Sequence, residues 1–77
     1  MKVPVKYYGL IAEALNKNED IIDFSGSTAA ELLQLLYKQY PVLKQKDFQL
    51  AQHNHLLSQE ETIDETEVAL LPPFAGG

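Results

Sequence analysis

Residues 3–8 alternate in character. Val3, Val5 and Tyr7 fall on one side and Pro4, Lys6 and Tyr8 on the other, the period-two pattern of a half-buried strand. Pro4 removes a ladder donor, so it is expected near the beginning of that strand. Gly9 breaks the pattern, and residues 10–15 read as a short helix with Leu10, Ala14 and Leu15 turned inward. Residues 16–18 carry turn chemistry, and residues 20–24 read as a second strand. The best-marked element is STAAELLQLLYKQYP. Thr28 followed three residues later by Glu31 is a capping box, which satisfies orphan backbone donors at a helix start. Ala29, Leu32, Leu33, Leu36 and Tyr40 then recur along one face, and Pro41 stops the helix by disfavouring helical geometry at Tyr40. Burying the three leucines contributes about 5 to 9 kcal/mol gross.

The second half is written in shorter pieces. Residues 48–52 (FQLAQ) predict a strand ending at a His53-Asn54 turn, and Leu56-Leu57 a brief return strand. A polar stretch follows, with Ile63 as its inward anchor. Residues 67–71 (EVALL) are apolar on both faces after Glu67, as suits a strand in the middle of a sheet, and Pro72 and Pro73 end it at once. The order strand, strand, helix, strand, short strand, strand implies an α+β domain, with one main helix packed across a mixed sheet. Placing the first and last strands side by side at the centre gives the β-grasp arrangement. With 77 residues, the whole chain is expected to be a single domain with 72–77 as a protruding tail.

Composition narrows the chemistry. There is no cysteine, so disulfides are excluded, and the only soft ligands are His53 and His55. They flank Asn54 in a hairpin-like turn, so they read as exposed turn residues. Six lysines, no arginine and eleven acids leave a net charge of −5, which argues against nucleic acid or an anionic membrane as partner. No apolar run reaches the roughly 20 residues that span a bilayer, and MKVPVKYY lacks the uninterrupted apolar core of a signal peptide, so a cytoplasmic protein is expected. Glu60, Glu61, Asp64, Glu65 and Glu67 form the densest charge run. No nucleophile or apolar pocket stands beside them, and they read as a solvated loop. The four tyrosines read as core or rim.

What remains is LLPPFAGG. The two prolines favour extended geometry, so the tail is expected to project, and residues 72–77 reach about 20 Å when extended. Gly76 and Gly77 have no Cβ, and such a backbone threads a narrow channel. With no side-chain site elsewhere, the candidate reactive group is the carboxylate of Gly77, unreactive until an activating enzyme gives it a good leaving group.

EVALLPPFAGG resembles the C-terminal signature of the molybdopterin synthase small subunit family, ubiquitin-like sulfur carriers. The likeness extends upstream through YYGLIAEAL, TAAELLQLLYKQYP and FQLAQHN. It implies that an E1-like enzyme adenylates Gly77 with ATP, and that a sulfur donor converts it to a thiocarboxylate. The tail (Pro72, Pro73, Phe74, Ala75, Gly76) then enters the active site of a large subunit. There the sulfur goes to cyclic pyranopterin monophosphate. The resemblance further implies a heterotetramer of two small and two large subunits, catalytic side chains on the large one, and neither cofactor nor metal bound by this chain. The chain departs from that family at Ile11-Ala12-Glu13, where an Arg-Glu pair is common, and at Glu65-Thr66, where Gly-Asp is common. The alternatives are a thiamine-pathway sulfur carrier, which usually lacks the Pro-Pro segment, a ubiquitin-like protein modifier, and a plain β-grasp interaction module with an inert tail.

Overall fold

The computed structural model describes residues 1–73; residues 74–77 lie outside the described residues. Five strands form one mixed sheet: β1 (Lys2–Tyr7), β2 (Glu19–Asp23), β3 (Gln49–Gln52), β4 (His55–Leu56) and β5 (Val68–Leu71). Their spatial order is β2-β1-β5-β3-β4, with β1 and β5 parallel and the other pairs antiparallel. The first and last strands are thus central neighbours, as the order of elements predicts. Helix α1 (Gly9–Leu15) connects β1 to β2. Helix α2 (Ala29–Gln39) and a 3₁₀ turn (Pro41–Gln45) follow β2.

Strand β1 buries Val3, Val5 and Tyr7, the side its alternation indicates. Pro4 is the third of its six residues, well inside a central strand, and the register explains why it is tolerated. Phe24 N–H donates to Met1 O at 2.8 Å and Tyr7 N–H to Asn18 O at 2.9 Å. Antiparallel pairs alternate between bonded and non-bonded, so the Pro4–Ile21 pair falls at a non-bonded site on the β2 side. On the other side the β5 ladder begins only at Val5. No donor is missed.

The capping box forms. Glu31 N–H donates to Thr28 Oγ1 at 3.3 Å, and the Glu31 carboxylate accepts from the N–H groups of Ser27 and Thr28 at 3.1 Å each. Those backbone donors hold the Glu31 carboxyl below its ordinary range. The helix ends at Gln39, and Tyr40 leaves helical space (φ −132°, ψ 80°), as a residue before proline is pushed to do. Ala29, Leu32 and Leu36 are buried. Leu33 and Tyr40, expected on the same face, are only half-buried. The buried stripe is narrower than the pattern, and Leu33 borders a surface groove instead.

The expected phase of α1 is wrong. Ile11 is buried, Leu15 is half-buried, and Leu10 and Ala14 face outward, Leu10 with 72% of its surface exposed. Gly9, at φ +57°, starts the helix from a left-handed corner, and that corner sets which side meets the sheet. Asn16, also left-handed (φ 57°, ψ 39°), ends it. The core adds one residue that periodicity missed: Leu43 in the 3₁₀ turn is fully buried.

The His53-Asn54 turn is present, with both residues at positive φ (55° and 63°) between the paired Gln52 and His55. That is the primed geometry whose twist matches a two-residue hairpin, here made from residue types that tolerate it. Ile63 is buried as expected. The loop around it does more than meet solvent. Its carbonyls at Glu61 and Gln59 accept from the Ala29 and Ala30 N–H groups at 2.9 and 3.0 Å, satisfying first-turn donors of α2.

Candidate functional site

The candidate site hangs from the end of β5. Val68 and Leu70 are buried, and Tyr7 of β1 and Leu50 of β3 flank Leu70. The strand that carries the tail is therefore held from both sides of the sheet, and a pull on the tail acts against the central ladder. Pro72 and Pro73 follow directly and are exposed. The other expected site residues, Phe74, Ala75, Gly76 and Gly77, lie outside the described residues.

Gly9 stands beside this root. A Cβ built on it would sit 3.7 Å from Pro72 Cγ, so the β1–α1 corner and the first proline are neighbours. Two depressions flank Pro73. One, of about 390 Å³, runs between the β1–α1 corner and the 3₁₀ turn and includes Tyr8, Leu10, Ile11 and Lys46. The other, about 630 Å³, lies between α2 and the β3–β4 hairpin and includes Leu33, Tyr37, Phe48 and Leu57. The root of the tail thus sits in a collar of two depressions, and Lys46 and Asp47, a cation and an acid, line both of them. Sequence reasoning missed Gly9, Leu10 and Lys46. The one signal for Gly9 was a glycine at a strand end, and nothing local marks the other two.

Below the collar, Tyr7 and Tyr40 meet edge to face at 6.3 Å and both donate to Asp20 Oδ2, Tyr7 at 3.3 Å. Lys17 donates to Tyr40 Oη at 3.0 Å and to Asp20 at 3.5 Å. Burial pushes the Tyr7 hydroxyl well above its ordinary range, with the Asp20 carboxylate adding to it. Burial works to raise the Asp20 carboxyl too, yet the Tyr40 hydroxyl and the Lys17 ammonium outweigh it and leave it lowered. The network ties the C-terminal part of β1 to β2 and to the end of α2. The phenol, kept protonated beside the carboxylate, acts as a staple between these elements.

The two histidines lie on the other side of the molecule from this network and do not converge. His53 Nε2 meets Asp64 Oδ2, and His55 Nε2 meets Glu61 Oε2, each at 2.8 Å. Hydrogen bonds from the Thr66 hydroxyl and N–H, then from His53, bring the Asp64 carboxyl down to about 2. His55, followed by the Ser58 N–H, holds Glu61 below its ordinary value. Buried Gln52 joins in, donating to Asp64 O and Thr66 O at 3.2 and 2.9 Å. The acidic run is thereby clasped to the β3–β4 turn. Among the described residues no three His, Cys, Asp or Glu side chains are grouped to hold a metal. No helix among them is long and apolar enough to cross a membrane.

A profile of the ThiS family matches residues 5–77, nearly the whole sequence and through the final Gly-Gly. The chain belongs to the ThiS family. Its fold is the ubiquitin-like β-grasp. A Pyrococcus furiosus protein provisionally named molybdopterin converting factor, subunit 1, superposes with a TM-score of 0.86 at 21% identity, over 95% of this chain and 98% of that one. Small archaeal modifier protein 1 from Haloferax volcanii gives 0.80 at 20% identity, over all of both chains. The protein of the same name from Methanosarcina acetivorans gives 0.67 at 24%, over 99% of this chain and 96% of that one. At these identities the likeness establishes the fold, one shared by carriers and modifiers of the ubiquitin-like kind.

Proposed function

We propose that this ThiS-family chain is a sulfur carrier that acts from its last residue, as the small subunit of a molybdopterin synthase. The observation that carries the reading is the PPFAGG segment set directly on a central, doubly flanked strand, with no competing side-chain site among the described residues. The reading requires a free carboxyl on Gly77. Attack of that carboxylate on ATP forms an acyl-adenylate and releases pyrophosphate. Sulfide, or its equivalent delivered by a donor protein, displaces AMP and leaves a thiocarboxylate. Gly76 and Gly77, lacking Cβ atoms, would pass a narrow channel of the large subunit, whose own side chains then move the sulfur to cyclic pyranopterin monophosphate. This chain supplies a rigid mount, a stiff exit at Pro72-Pro73 and the transferred atom. ATP belongs to the activating enzyme, and this chain itself binds no cofactor in the scheme.

The Pro-Pro pair and the likeness to the Pyrococcus furiosus protein favour this pathway over a thiamine-pathway carrier. The likeness to the archaeal modifiers favours a second reading, in which activated Gly77 is attacked by a lysine amine and an isopeptide forms. One reconstitution separates them. The thiolated chain is offered to a molybdopterin synthase large subunit with the pterin precursor. Loss of sulfur from the chain together with dithiolene formation is the expected result. Sulfur retained there but released to thiazole-forming enzymes, or Gly77 recovered on lysine, overturns the molybdopterin assignment.

A further inference from the structure

Strand β2 closes one end of the sheet, and only β1 pairs with it. Phe24 N–H bonds to Met1 and Tyr7 N–H to Asn18, which fixes the phase of the antiparallel ladder. The backbone groups of Asp20 and Ile22 therefore turn toward β1, and those of Glu19, Ile21 and Asp23 turn outward. No other described segment takes up these outward N–H and C=O groups. The side chains of the same three residues are exposed, Ile21 to 61%, with Pro4 of β1 beside it. At the end of β2 a depression of about 330 Å³ is lined by Phe24, Gly26, Glu31 and Leu35. An open ladder, a bare isoleucine and an adjoining hollow are what an added strand uses. Main-chain bonds give it affinity, and alternate side chains give it selectivity.

The charges select the strand. A second copy of this chain is a poor occupant. Paired antiparallel about Ile21, Glu19 of each copy meets Asp23 of the other, and paired parallel in register each acid meets itself. Neither acid is firmly paired within the chain. Glu19 has no cation at ion-pair distance among the described residues, since Lys6, its partner in register, reaches Glu67 instead at 3.5 Å. Asp23 meets Lys2 at 3.7 Å with both side chains largely in solvent, a weak pair. We propose that β2 is a docking edge for an extended segment of another protein with the pattern basic-x-apolar-x-basic. The segment adds antiparallel to β2, its apolar residue beside Ile21 and its basic residues beside Glu19 and Asp23. An alternate side chain enters the hollow at Leu35. The docking does not depend on the carrier reading, and β1 separates this edge from the strand that bears the tail.

The test uses the full, unmodified, isotope-labelled chain and synthetic peptides with blocked ends. One contains Lys-Thr-Val-Thr-Lys, a second has both lysines replaced by glutamate, and a third carries the first composition in the order Lys-Lys-Thr-Thr-Val. The first should give saturable amide shifts at Glu19, Ile21 and Asp23 and slow their hydrogen exchange. The other two should not. A chain with Glu19→Lys and Asp23→Lys, its fold checked by thermal melting, should bind the lysine peptide about tenfold more weakly, as the loss of two exposed ion pairs implies. It should now take the glutamate peptide at the same edge. Shifts centred on Leu33 and Leu57, equal binding of the reordered peptide, or no saturable shift in large excess overturns the proposal. So does concentration-dependent broadening at Glu19, Ile21 and Asp23 in the chain alone, which makes a second copy the occupant. Sulfur loading of Gly77 is measured separately and is moved by none of these outcomes, so the two ideas fail separately.

Discussion

Gly9 is the position where a single methyl group tests the geometry of the tail root. Its φ of +57° lies in the left-handed region, where an L-residue costs about 1 to 2 kcal/mol. Room is not the obstacle, since a Cβ there meets Pro72 Cγ at 3.7 Å, an ordinary contact. Alanine also narrows the unfolded ensemble, a gain of about 0.4 to 1 kcal/mol at positions whose backbone it can adopt. Here the backbone is the wrong one, so strain wins and Gly9→Ala should lose about 1 kcal/mol net. For a domain of this size that lowers Tm by roughly 4 to 8 °C, read by circular dichroism. A chain made by chemical synthesis with D-alanine at position 9 favours positive φ and should match or exceed the parent. If Gly9→Ala melts at or above the parent temperature, the left-handed corner is wrong, and with it the placement of α1 and of Leu10 beside the tail.

Other expectations follow from single residues. Leu36 is fully buried on α2, so Leu36→Ala should cost about 2 to 5 kcal/mol, seen as a lower urea midpoint; an unchanged midpoint would remove α2 from the sheet. Thr28→Ala should cost about 0.5 to 2 kcal/mol through loss of the cap, and Thr28→Ser should restore most of it. Asp64 should titrate at about 2 by carboxyl NMR, against about 3.9 for a free aspartate. Its folded value is depressed, so its contribution is present above the unfolded value and is lost as pH falls through the folded one. Stability should fall as pH drops from about 4 toward 2, and Thr66→Val should flatten that fall. An Asp64 titration at or above the free value would refute the clasp.

The sequence made the strands β1 and β5, the capping box, the His53-Asn54 turn and the Ile63 anchor legible because each depends on a local period or on turn chemistry. Their placement as central neighbours followed from the order of elements. Three things were not legible, for different reasons. The seven residues of α1 make barely two turns, so a face built on Leu10 fits the pattern as well as one built on Ile11, and only the corner at Gly9 decides. Leu43 follows Pro41 in a turn with no period to read. Pro4 looked misplaced because its tolerance depends on strand register, a long-range property. For the site, the Pro-Pro exit and the lack of rival chemistry were visible in the sequence. The collar of Tyr8, Leu10 and Lys46 was not, because it is assembled from the β1–α1 corner, α1 and the segment after the 3₁₀ turn, which meet only in the fold.

The central claim is that the reactive group is the Gly77 carboxyl. Intact-mass measurement after incubation with an E1-like activating enzyme, ATP and a sulfur source tests it most directly. The account predicts a species heavier by the difference of sulfur for oxygen, mapped to the C-terminal peptide. A chain lacking Gly77 should show none and melt at the parent temperature. A chain that stays unmodified, under conditions that thiolate a known carrier, contradicts the account.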